Sequence, residues 1–377
     1  MDHTGDQPST SSFFGRDDDD DVDEPAPAPA PRRRGFFRRH KALTVLTALA
    51  AVAVLAIGMV ALYINNEIGD IPRVQISVPE KDRPAAPTGK YAKSMNILLA
   101  GADNGDDKGD SIAETVAKGA WRPGVHRSDT IMVLHLTSDR KHAYLISVPR
   151  DTYTNVDGYG KQKINAAFSF GGPSLYLRTL EQFSGLRMKH LAIIDWNGFR
   201  DVSTALGGVR VYVAKTSFNS AHNVRWAKGW QTIEGDRALE YVRTRHGLAG
   251  GDFDRIQRQQ NFMRAMLAQL GSRGTLTNPI KFKNSLHAVT GNLTVDDDLS
   301  NGDIRSLAWS LRKLRPKDIT FLTTPMKRFD SNQAGSVIIP DLAKTRELFG
   351  DVATDDLDEY VAKYGGSGSL HAPTDVR

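Results

Sequence analysis

The sequence contains no cysteine among its 377 residues. This absence excludes a disulfide scaffold, thiol catalysis, iron–sulfur clusters and zinc held by thiolates. The sequence also lacks a Walker A P-loop, a G-x-S-x-G nucleophile elbow and an H-E-x-x-H motif, and its ten histidines show no metal-ligand spacing. Nucleotide hydrolysis, serine hydrolysis and zinc proteolysis by the commonest devices are therefore not supported.

Charge is missing from one stretch of the chain and concentrated just before it. Residues 1–31 are acidic and proline-rich, which predicts a disordered tail. Residues 42–64 carry no charge and are long enough, at about 1.5 Å per residue, for a bilayer core of about 30 Å. We expect a cytoplasmic tail over 1–41, one transmembrane helix over 42–64 and the rest of this single-pass chain outside the cell. The orientation follows from a basic cluster that precedes the uncharged run, made of Arg32, Arg33, Arg34, Arg38, Arg39, His40 and Lys41.

Downstream of the uncharged run, short apolar segments alternate with amphipathic ones. The predicted strands are 96–100, 129–136, 142–148, 190–196, 209–213 and 319–323, and the predicted helices are 172–185, 197–206, 254–270, 304–314 and 341–349. This alternation predicts an α/β fold, a single extracytoplasmic α-β-α domain with a central mixed sheet. We place that domain at 93–350, after an extracellular linker over 65–92. The end of the last helix and a flexible tail follow over 351–377.

Charged residues stand at the ends of three predicted strands. Asp103 follows the first strand, Arg127 and Asp129 open the second, and Arg150 follows the third. Each one alone is explained by a turn or by a surface ion pair. Because ligand-binding groups of open α/β sheets gather at strand ends, we expect these four side chains to converge on one rim.

A second group of cations lies further along the chain. Arg243 and Arg245 are two residues apart, so an extended chain points both to one face. In the predicted helix that follows, Arg255, Arg258 and Gln259 share one face at i, i+3 and i+4. A solvated helix face produces the same pattern, so this spacing leaves both interpretations open.

Taken together, two aspartates and up to six arginines favour a phosphate ligand. Guanidinium groups bind phosphate bidentately, which lysine does not. Carboxylates among them would repel a phosphate unless a hard divalent cation lies between, and Mg²⁺, with Mn²⁺ as the alternative, suits such oxygens. We therefore expect a magnesium–pyrophosphate site with Asp103 and Asp129 as metal ligands. Its chemistry would be phosphoryl transfer by positioning and charge neutralisation.

Seven ordered motifs, NILLAGAD, RSDTIMVLHL, SVPRDTY, KINAAFSFGG, GGVRVYV, LEYVRTRH and GDFDRIQRQQ, resemble the LytR-CpsA-Psr (LCP) family of cell-envelope proteins. The resemblance covers roughly residues 95–349. It implies a transferase that moves a glycopolymer from a polyprenyl-pyrophosphate lipid onto peptidoglycan through a phosphodiester. It also implies an apolar tunnel for the lipid chain, lined here by strand 129–136 and by Met263, Met266 and Leu267.

The resemblance further implies roles for individual residues. Asp103 and Asp129 match the magnesium-associated aspartates of the family, and Asp252 and Gln259 fall in its helical motif. Arg258 is our addition from the helix face. The residues that match the pyrophosphate-binding arginines are Arg127, Arg150, Arg243, Arg245 and Arg255. Those expected to act in catalysis are Asp103, Arg127, Asp129, Arg150 and Arg255.

Two alternative functions use the same features. A hydrolase would admit water to the same site and release the lipid carrier, and a non-catalytic envelope-binding or regulatory protein would bind without turnover. Nucleic acid is not an expected partner, because the basic cluster abuts the apolar run and the acidic tail would repel DNA. The loop 104–126, which contains Asp106, Asp107 and Asp110, is long enough to be a lid or an acceptor contact.

Overall fold

The computed structural model describes residues 36–103, 112–220, 223–244, 248 and 252–364, without the side chains of 36–50, 56, 57, 103, 252, 253 and 316. The predicted tail over 1–31 lies outside these residues. The chain forms two compact units, Met1–Met59 and Val60–Arg377. Helix α1 (Phe36–Gly69) begins in the first unit and ends in the second. Its segment Ala51–Gly69 is long and apolar enough to cross a membrane, by length and composition, among the described residues.

A seven-stranded mixed sheet forms the centre of the second unit. Its strand order is β1-β12-β7-β2-β3-β4-β13. β2 pairs in parallel with β7 and antiparallel with β3, and β4 pairs antiparallel with β3 and in parallel with β13. The strands of this sheet are β1 (Arg73–Val74), β2 (Met95–Asp103), β3 (Arg127–Leu136), β4 (Ala143–Ser147), β7 (His190–Asp195), β12 (Leu293–Asp296) and β13 (Ile319–Thr323). The predicted mixed sheet is confirmed, and within it β3 and β4 form an antiparallel hairpin.

Four two-stranded sheets surround the central one in the described chain. The segment 209–213 is a strand as predicted, but it belongs to one of these hairpins. Its cross-strand partner is the later strand Gly229–Ile233, so the central sheet excludes it. The outer strands are β5 (Tyr153–Val156), β6 (Gly160–Lys163), β8 (Val209–Val213), β9 (Ser217–Asn219), β10 (Val224–Trp226), β11 (Gly229–Ile233), β14 (Met326–Asn332) and β15 (Gly335–Pro340).

Helices cover both faces of the central sheet, and strand alternation explains why. On β3, Ile131 and Val133 pack on one face with Tyr176 and Leu180 of α3, whereas Met132 packs on the other face near Met263 of α6. The helices after α1 are α2 (Ile112–Ala117), α3 (Ala166–Ser184), α4 (Trp196–Ala205), α5 (Gly235–Arg243), α6 (Asp252–Leu270), α7 (Arg273–Leu276), α8 (Pro279–Asn292), α9 (Asn301–Leu311), α10 (Leu342–Ala353) and α11 (Leu357–Tyr364). The predicted α-β-α fold class is confirmed.

The packed unit extends beyond the sequence-predicted elements at both ends. In the expected linker, Ile71 and Val74 are buried, and Arg83 forms an ion pair with the fully buried Glu181 at 2.7 Å. At the other end, the predicted last helix is followed by α11, whose Leu357 is fully buried in the core. Short amphipathic segments such as these fold because the finished sheet offers them an apolar face.

Candidate functional site

A β-bulge places Asp129 at the rim of the sheet. Gly101 of β2 pairs with Thr130 of β3, but the next residue, Ala102, pairs with Ser128, so Asp129 is the extra residue of β3. Such a bulge changes the direction of a side chain at a strand end. A Cβ on Gly101 would lie 2.9 Å from Cβ of Thr130, so only glycine allows the two strands to approach this closely here.

Arg150 and Asp129 form an ion pair across this rim. Arg150 Nη1 contacts Oδ1 of Asp129, and both side chains are less than one-fifth exposed. Arg150 Nε also lies 3.5 Å from Oδ2 of Asp151, whose Oδ1 is 3.0 Å from Nζ of Lys163. Because β4 runs antiparallel to β3, the end of β4 lies beside the start of β3, and this topology brings Arg150 to Asp129. The predicted convergence of these two residues is observed.

Asp103 of β2 and Arg127 of β3 are paired in the strand register at the same rim. Asp103 is the last residue of β2, which is three residues longer at this end than the predicted strand 96–100. Its side chain lies outside the described set. Arg127 is exposed. The backbone thus brings all four predicted strand-end residues to one rim, as expected from the sequence.

Two further residues of the rim were missed in the sequence. Asp195 ends β7, pairs with Ala102 of the neighbouring β2, and caps α4 by accepting a hydrogen bond from Gly198 N at 2.7 Å. Trp196 follows it and lies under the guanidinium of Arg243, 5.2 Å from the ring centroid. A strand ending in an acidic helix cap was the available signal.

The segment around Arg243 is helical, which contradicts the extended conformation that we predicted for it. Arg243 is the last residue of α5, and Thr244 caps that helix, so the argument from alternating side chains fails. The strongly amphipathic sequence Gly235–Arg243 packs Tyr241 and Val242 inward at helical spacing. Arg243 itself is exposed. Arg245 lies outside the described residues.

Arg255 and Arg258 of α6 are buried, which excludes a solvated helix face at these two positions. Arg255 is 4% exposed and Arg258 is 3% exposed. Arg258 donates to Oγ of Ser217 at 2.7 Å and lies 5.0 Å from the centroid of the Tyr241 ring. Burial lowers the pKa of Arg258, but a guanidinium stays charged in proteins. Asp252 begins the helix, and its side chain is not described.

An apolar cavity of about 210 Å³, partly open to solvent, lies beside the rim. Its lining descends from polar to apolar residues along three elements. On β2 it passes from Gly101 to Leu99, and on β3 from Thr130 to Met132. On α6 it passes from Gln259 through three apolar residues, Met263, Met266 and Leu270.

This cavity has the position predicted for a tunnel. Met132, Met263 and Met266 line it as expected, but Leu267 does not. Leu267 lines a separate pocket with Ile319, because it points away from Met266 on the helix. The cavity therefore connects a charged rim to an apolar interior between the sheet, α4, α6 and α8.

Comparison with known proteins assigns the family. The sequence model of the family described as the LytR_cpsA_psr family matches residues 65–349 of the chain. The chain belongs to the LytR_cpsA_psr family. This confirms the resemblance found in the sequence, and we call the protein the LCP chain below.

The LCP chain is similar to named cell-wall proteins. It is 34% identical over 318 residues to the probable cell wall biosynthesis protein LcpB of Corynebacterium glutamicum, which covers 84% of this chain and 74% of LcpB. It is 34% identical over 203 residues to the polyisoprenyl-teichoic acid–peptidoglycan teichoic acid transferase TagU of Bacillus mycoides. That alignment covers 53% of this chain and 60% of TagU.

Solved structures share the fold. The LytR-Csp2A-Psr enzyme from Actinomyces oris matches with a TM-score of 0.59 and 22% identity, covering 75% of the LCP chain and 96% of that chain. At this identity the likeness concerns the architecture of the domain.

A hydrogen bond behind the rim fixes the start of β3 in the LCP chain. Ser128 Oγ lies 2.8 Å from the hydroxyl of Tyr176 on α3, and both residues are fully buried. Burial raises the pKa of Tyr176 far above its ordinary value, so the hydroxyl stays protonated. Tyr176 therefore positions the residue next to Asp129 and does not exchange protons itself.

The carboxylates at this rim suit a hard cation shared with a phosphate. Among the described residues no group of three or more histidine or acidic side chains could hold a metal. Mg²⁺, however, is commonly held by one or two carboxylates, with water and phosphate oxygens completing its shell. Asp129 and the strand-end position of Asp103 fit that pattern. A zinc centre, which needs three or four protein ligands, does not fit them.

Proposed function

We propose that the LCP chain is a membrane-anchored phosphotransferase. It moves a glycopolymer from a polyprenyl-pyrophosphate carrier onto peptidoglycan and forms a phosphodiester. The observation that carries the proposal is the junction of a charged rim with a deep apolar cavity. A lipid pyrophosphate has the same two parts, an anionic head and a long apolar chain. The names of LcpB and TagU, for cell wall biosynthesis and teichoic acid transfer, support the same substrate class.

The rim supplies binding and charge neutralisation for the pyrophosphate. Arg150 lies at the edge where Arg127 also begins its strand, and Arg255 comes from the first turn of α6. Guanidinium groups pair bidentately with phosphate oxygens, and each such contact adds about 1.5–3 kcal/mol. A binding site assembled from two strands and a helix holds the anhydride in one orientation, which favours in-line attack.

The reaction exchanges one phosphorus–oxygen bond for another. A peptidoglycan hydroxyl oxygen bonds to the phosphorus that carries the glycopolymer, and the anhydride bond to the lipid phosphate breaks. The electron pair of the broken bond leaves with the polyprenyl phosphate, where the arginines stabilise the new charge. The hydroxyl proton goes to an oxygen of Asp103 or Asp129 that does not hold the cation.

We also propose that Asp103 and Asp129 hold Mg²⁺, or Mn²⁺ in its place, as a cofactor. When bound, such an ion neutralises charge on phosphate oxygens and lowers the barrier to attack. Asp129 would hold it from the bulge, and Arg150 would remain beside the phosphate.

The test uses the full chain in nanodiscs with a glycopolymer-pyrophosphate lipid, with and without peptidoglycan. We expect polymer–peptidoglycan conjugate and polyprenyl phosphate, both dependent on the divalent cation. Free polymer phosphate, formed equally without the acceptor, would instead identify a hydrolase. Stable lipid binding with no product in either reaction would identify a non-catalytic envelope protein.

A further inference from the structure

Helix α9 is an amphipathic surface helix whose residues all remain at least partly exposed. Not one of its eleven residues is buried in the domain. Ile304, Leu307 and Leu311 are half-buried, while Trp309 is 68% exposed. A tryptophan this exposed on an amphipathic helix is available for contact with a surface outside the domain.

The helix lies against the last turns of α1, within the compact unit that starts at Val60. Ile64 and Ile68 of α1 share an apolar cluster with Ile304, and Arg305 of α9 donates to Asn65. Arg73, which follows α1, donates to Asn301 at the beginning of α9. Later residues of α9 therefore meet earlier residues of α1, and the two helices run antiparallel.

This direction points the later residues of α9, Trp309 among them, toward the end of the uncharged run at Ile64. Trp309 lies one helical turn beyond Arg305, about 6 Å further along α9. On α1, the corresponding step from Asn65 leads into the residues before Ile64, where the uncharged run ends. No linker separates Ile64, the last residue of the uncharged run, from the residues of α1 that contact α9.

The charge around Trp309 has one sign. No acidic residue occurs between Asp303 and Asp318, and the guanidinium of Arg312 stacks on the Trp309 ring at 3.9 Å from its centroid. The cations of this stretch are Arg305, Arg312, Lys313, Arg315 and Lys317, and all are exposed. An exposed tryptophan that stacks with Arg312 in a stretch free of acidic residues suits the interface of an anionic membrane, where the indole enters the headgroup layer.

We propose that α9 docks on the outer surface of the bilayer, with Trp309 in the interface and its flanking cations on anionic phospholipid headgroups. The inference rests on the membrane anchoring of the proposed function. Cations next to an anionic membrane surface are attracted to it. Because α9 runs antiparallel to α1, its C-terminal end, which carries Trp309 and these cations, is the part that reaches that surface. α1 and α9 then form two attachments, which restrict rotation of the domain about the anchor.

The docking surface lies at the ends of the strands opposite the rim that carries Asp129 and Arg150. α9 follows β12, and the last residue of β12, Asp296, binds His190 at the beginning of β7. α9 also precedes β13, which starts beside Ala143 at the beginning of β4. The rim lies at the other ends of β7 and β4. The cavity descends from the rim toward Leu270. A membrane-embedded lipid chain would therefore enter the cavity from its end farthest from the rim.

The test exploits the lack of native cysteine. Ala308→Cys, on exposed α9, is labelled with an environment-sensitive fluorophore in the full chain, and Lys327→Cys on exposed β14 is the matched control. Both are placed in nanodiscs of phosphatidylcholine with or without phosphatidylglycerol. Lipids carrying a nitroxide quencher near the headgroup report contact with the bilayer. We expect strong quenching at position 308 that increases with phosphatidylglycerol, and none at position 327.

Charge removal separates specific docking from mere proximity. Replacing Arg312, Lys313 and Arg315 with Gln should lower the docked-to-undocked ratio about a hundredfold, since each cation contributes about a factor of five. The control replaces Lys161, Lys228 and Lys327 with Gln, removes the same charge and should change nothing. Equal loss in both sets would overturn the proposal.

Two other results would also overturn it, and they are distinguishable. If the chain inserts and the label at position 308 stays unquenched, docking is wrong while anchoring stands. A blue-shifted emission without quenching would show that α9 is covered by protein, such as a second copy. If the chain fails to enter nanodiscs, both the anchor and the docking proposal fail.

Discussion

One extra residue in β3 decides where the carboxylate of Asp129 lies. Without the bulge, the residues before Thr130 on β3 would continue to alternate, and Asp129 would pair with Ala102 inside the ladder. With the bulge, Asp129 reaches Arg150 at the end of β4. Two neighbouring residues permit the bulge. Gly101 has no side chain to collide with Thr130, and Ser128 is held in place by its hydrogen bond with Tyr176.

The first prediction concerns the guanidinium of Arg150. We expect Arg150→Lys to lower transfer at least tenfold, because lysine keeps the charge but loses the planar fork that pairs with phosphate. Stability should change little, since Lys can still pair with Asp129. The measurement is initial rate of conjugate formation in nanodiscs, with the melting temperature recorded in parallel.

The matched control for Arg150 is Arg328→Lys. Arg328 also pairs with an aspartate, Asp330 at 3.1 Å, but both are largely exposed on β14. Exposed ion pairs contribute about 0–1 kcal/mol and tolerate lysine. Transfer at the wild-type rate in Arg150→Lys, as in the control, would reduce Arg150 to a surface ion pair.

The second prediction is a pH dependence that comes from Asp355. Its Oδ1 lies 3.0 Å from Nε2 of His135, and its Oδ2 accepts from Ser138 N at 2.8 Å. Burial would raise the pKa of Asp355, but these hydrogen bonds outweigh it and hold the pKa below the ordinary value. A folded-state pKa below the unfolded value stabilises the protein above about pH 3.9, and that stabilisation is lost as pH falls through the folded pKa.

We therefore expect Asp355→Asn to be less stable than the wild type at pH 7, with a difference that shrinks below about pH 4. Asn tolerates the left-handed backbone at this position, where φ is 51°, so the substitution isolates the charge. Asp356→Asn, at an exposed neighbour, is the control. Thermal unfolding of the full chain in detergent from pH 3 to 8 measures both, and a pH-independent difference for Asp355→Asn would contradict the assignment.

At the scale of elements, α6 joins the charged rim to the apolar cavity. Its adjacent glutamines have different tasks. Gln260 is fully buried, with Nε2 within 3.1 Å of Ser147 Oγ, Leu322 O and Thr323 Oγ1, so it ties α6 to β4 and β13. Gln259 lines the cavity and makes one longer bond to Val242 O, at 3.3 Å.

The third prediction separates these neighbours. Gln260→Ala should cost about 1–3 kcal/mol, because buried acceptors lose their donor, and should lower the melting temperature by roughly 2–4 °C per kcal/mol. Gln259→Ala should change stability by less than about 0.5 kcal/mol but lower transfer, because it faces the cavity mouth. Melting temperature and transfer rate are measured on both variants. A lowered melting temperature for Gln259→Ala, or an unchanged one for Gln260→Ala, would show that Gln260 is not the residue that ties α6 to the sheet.

At the scale of the whole molecule, the proposed function requires the chain to cross the bilayer once, with its sheet domain outside. The proposal depends on this topology, because peptidoglycan lies outside the membrane. The basic cluster before residue 42 and the uncharged run after it both favour a cytoplasmic N-terminus. The orientation is a prediction of its own, independent of the active site.

The fourth prediction tests that orientation. A reporter fused after Arg377 should be active only outside the cytoplasm, and one fused before Arg32 only inside. Replacing the arginines and lysine of the basic cluster with Gln should weaken this asymmetry, since these charges retain the N-terminus on the cytoplasmic side. The opposite reporter pattern would remove the basis for both the transferase and the docking proposals.

The sequence by itself determined what depends on local pattern. The apolar run, the α/β alternation and the strand-end positions of Asp103, Asp129 and Arg150 are all written in short segments, and so is the family motif order. Periodicity and spacing act over a few residues, so they can be read without the fold. Arg243 shows the limit of this reading, since its helix forms through packing of Tyr241 and Val242.

Only the tertiary structure decided how those segments meet. The pairing of Arg150 with Asp129, the bulge, the tie from Gln260 to two strands and the contact of α9 with α1 all join residues distant in sequence. Whether Arg255 and Arg258 were solvated or buried also depended on what packs over α6. Such contacts depend on topology and close packing, and neither periodicity nor spacing encodes which distant partner a side chain will find.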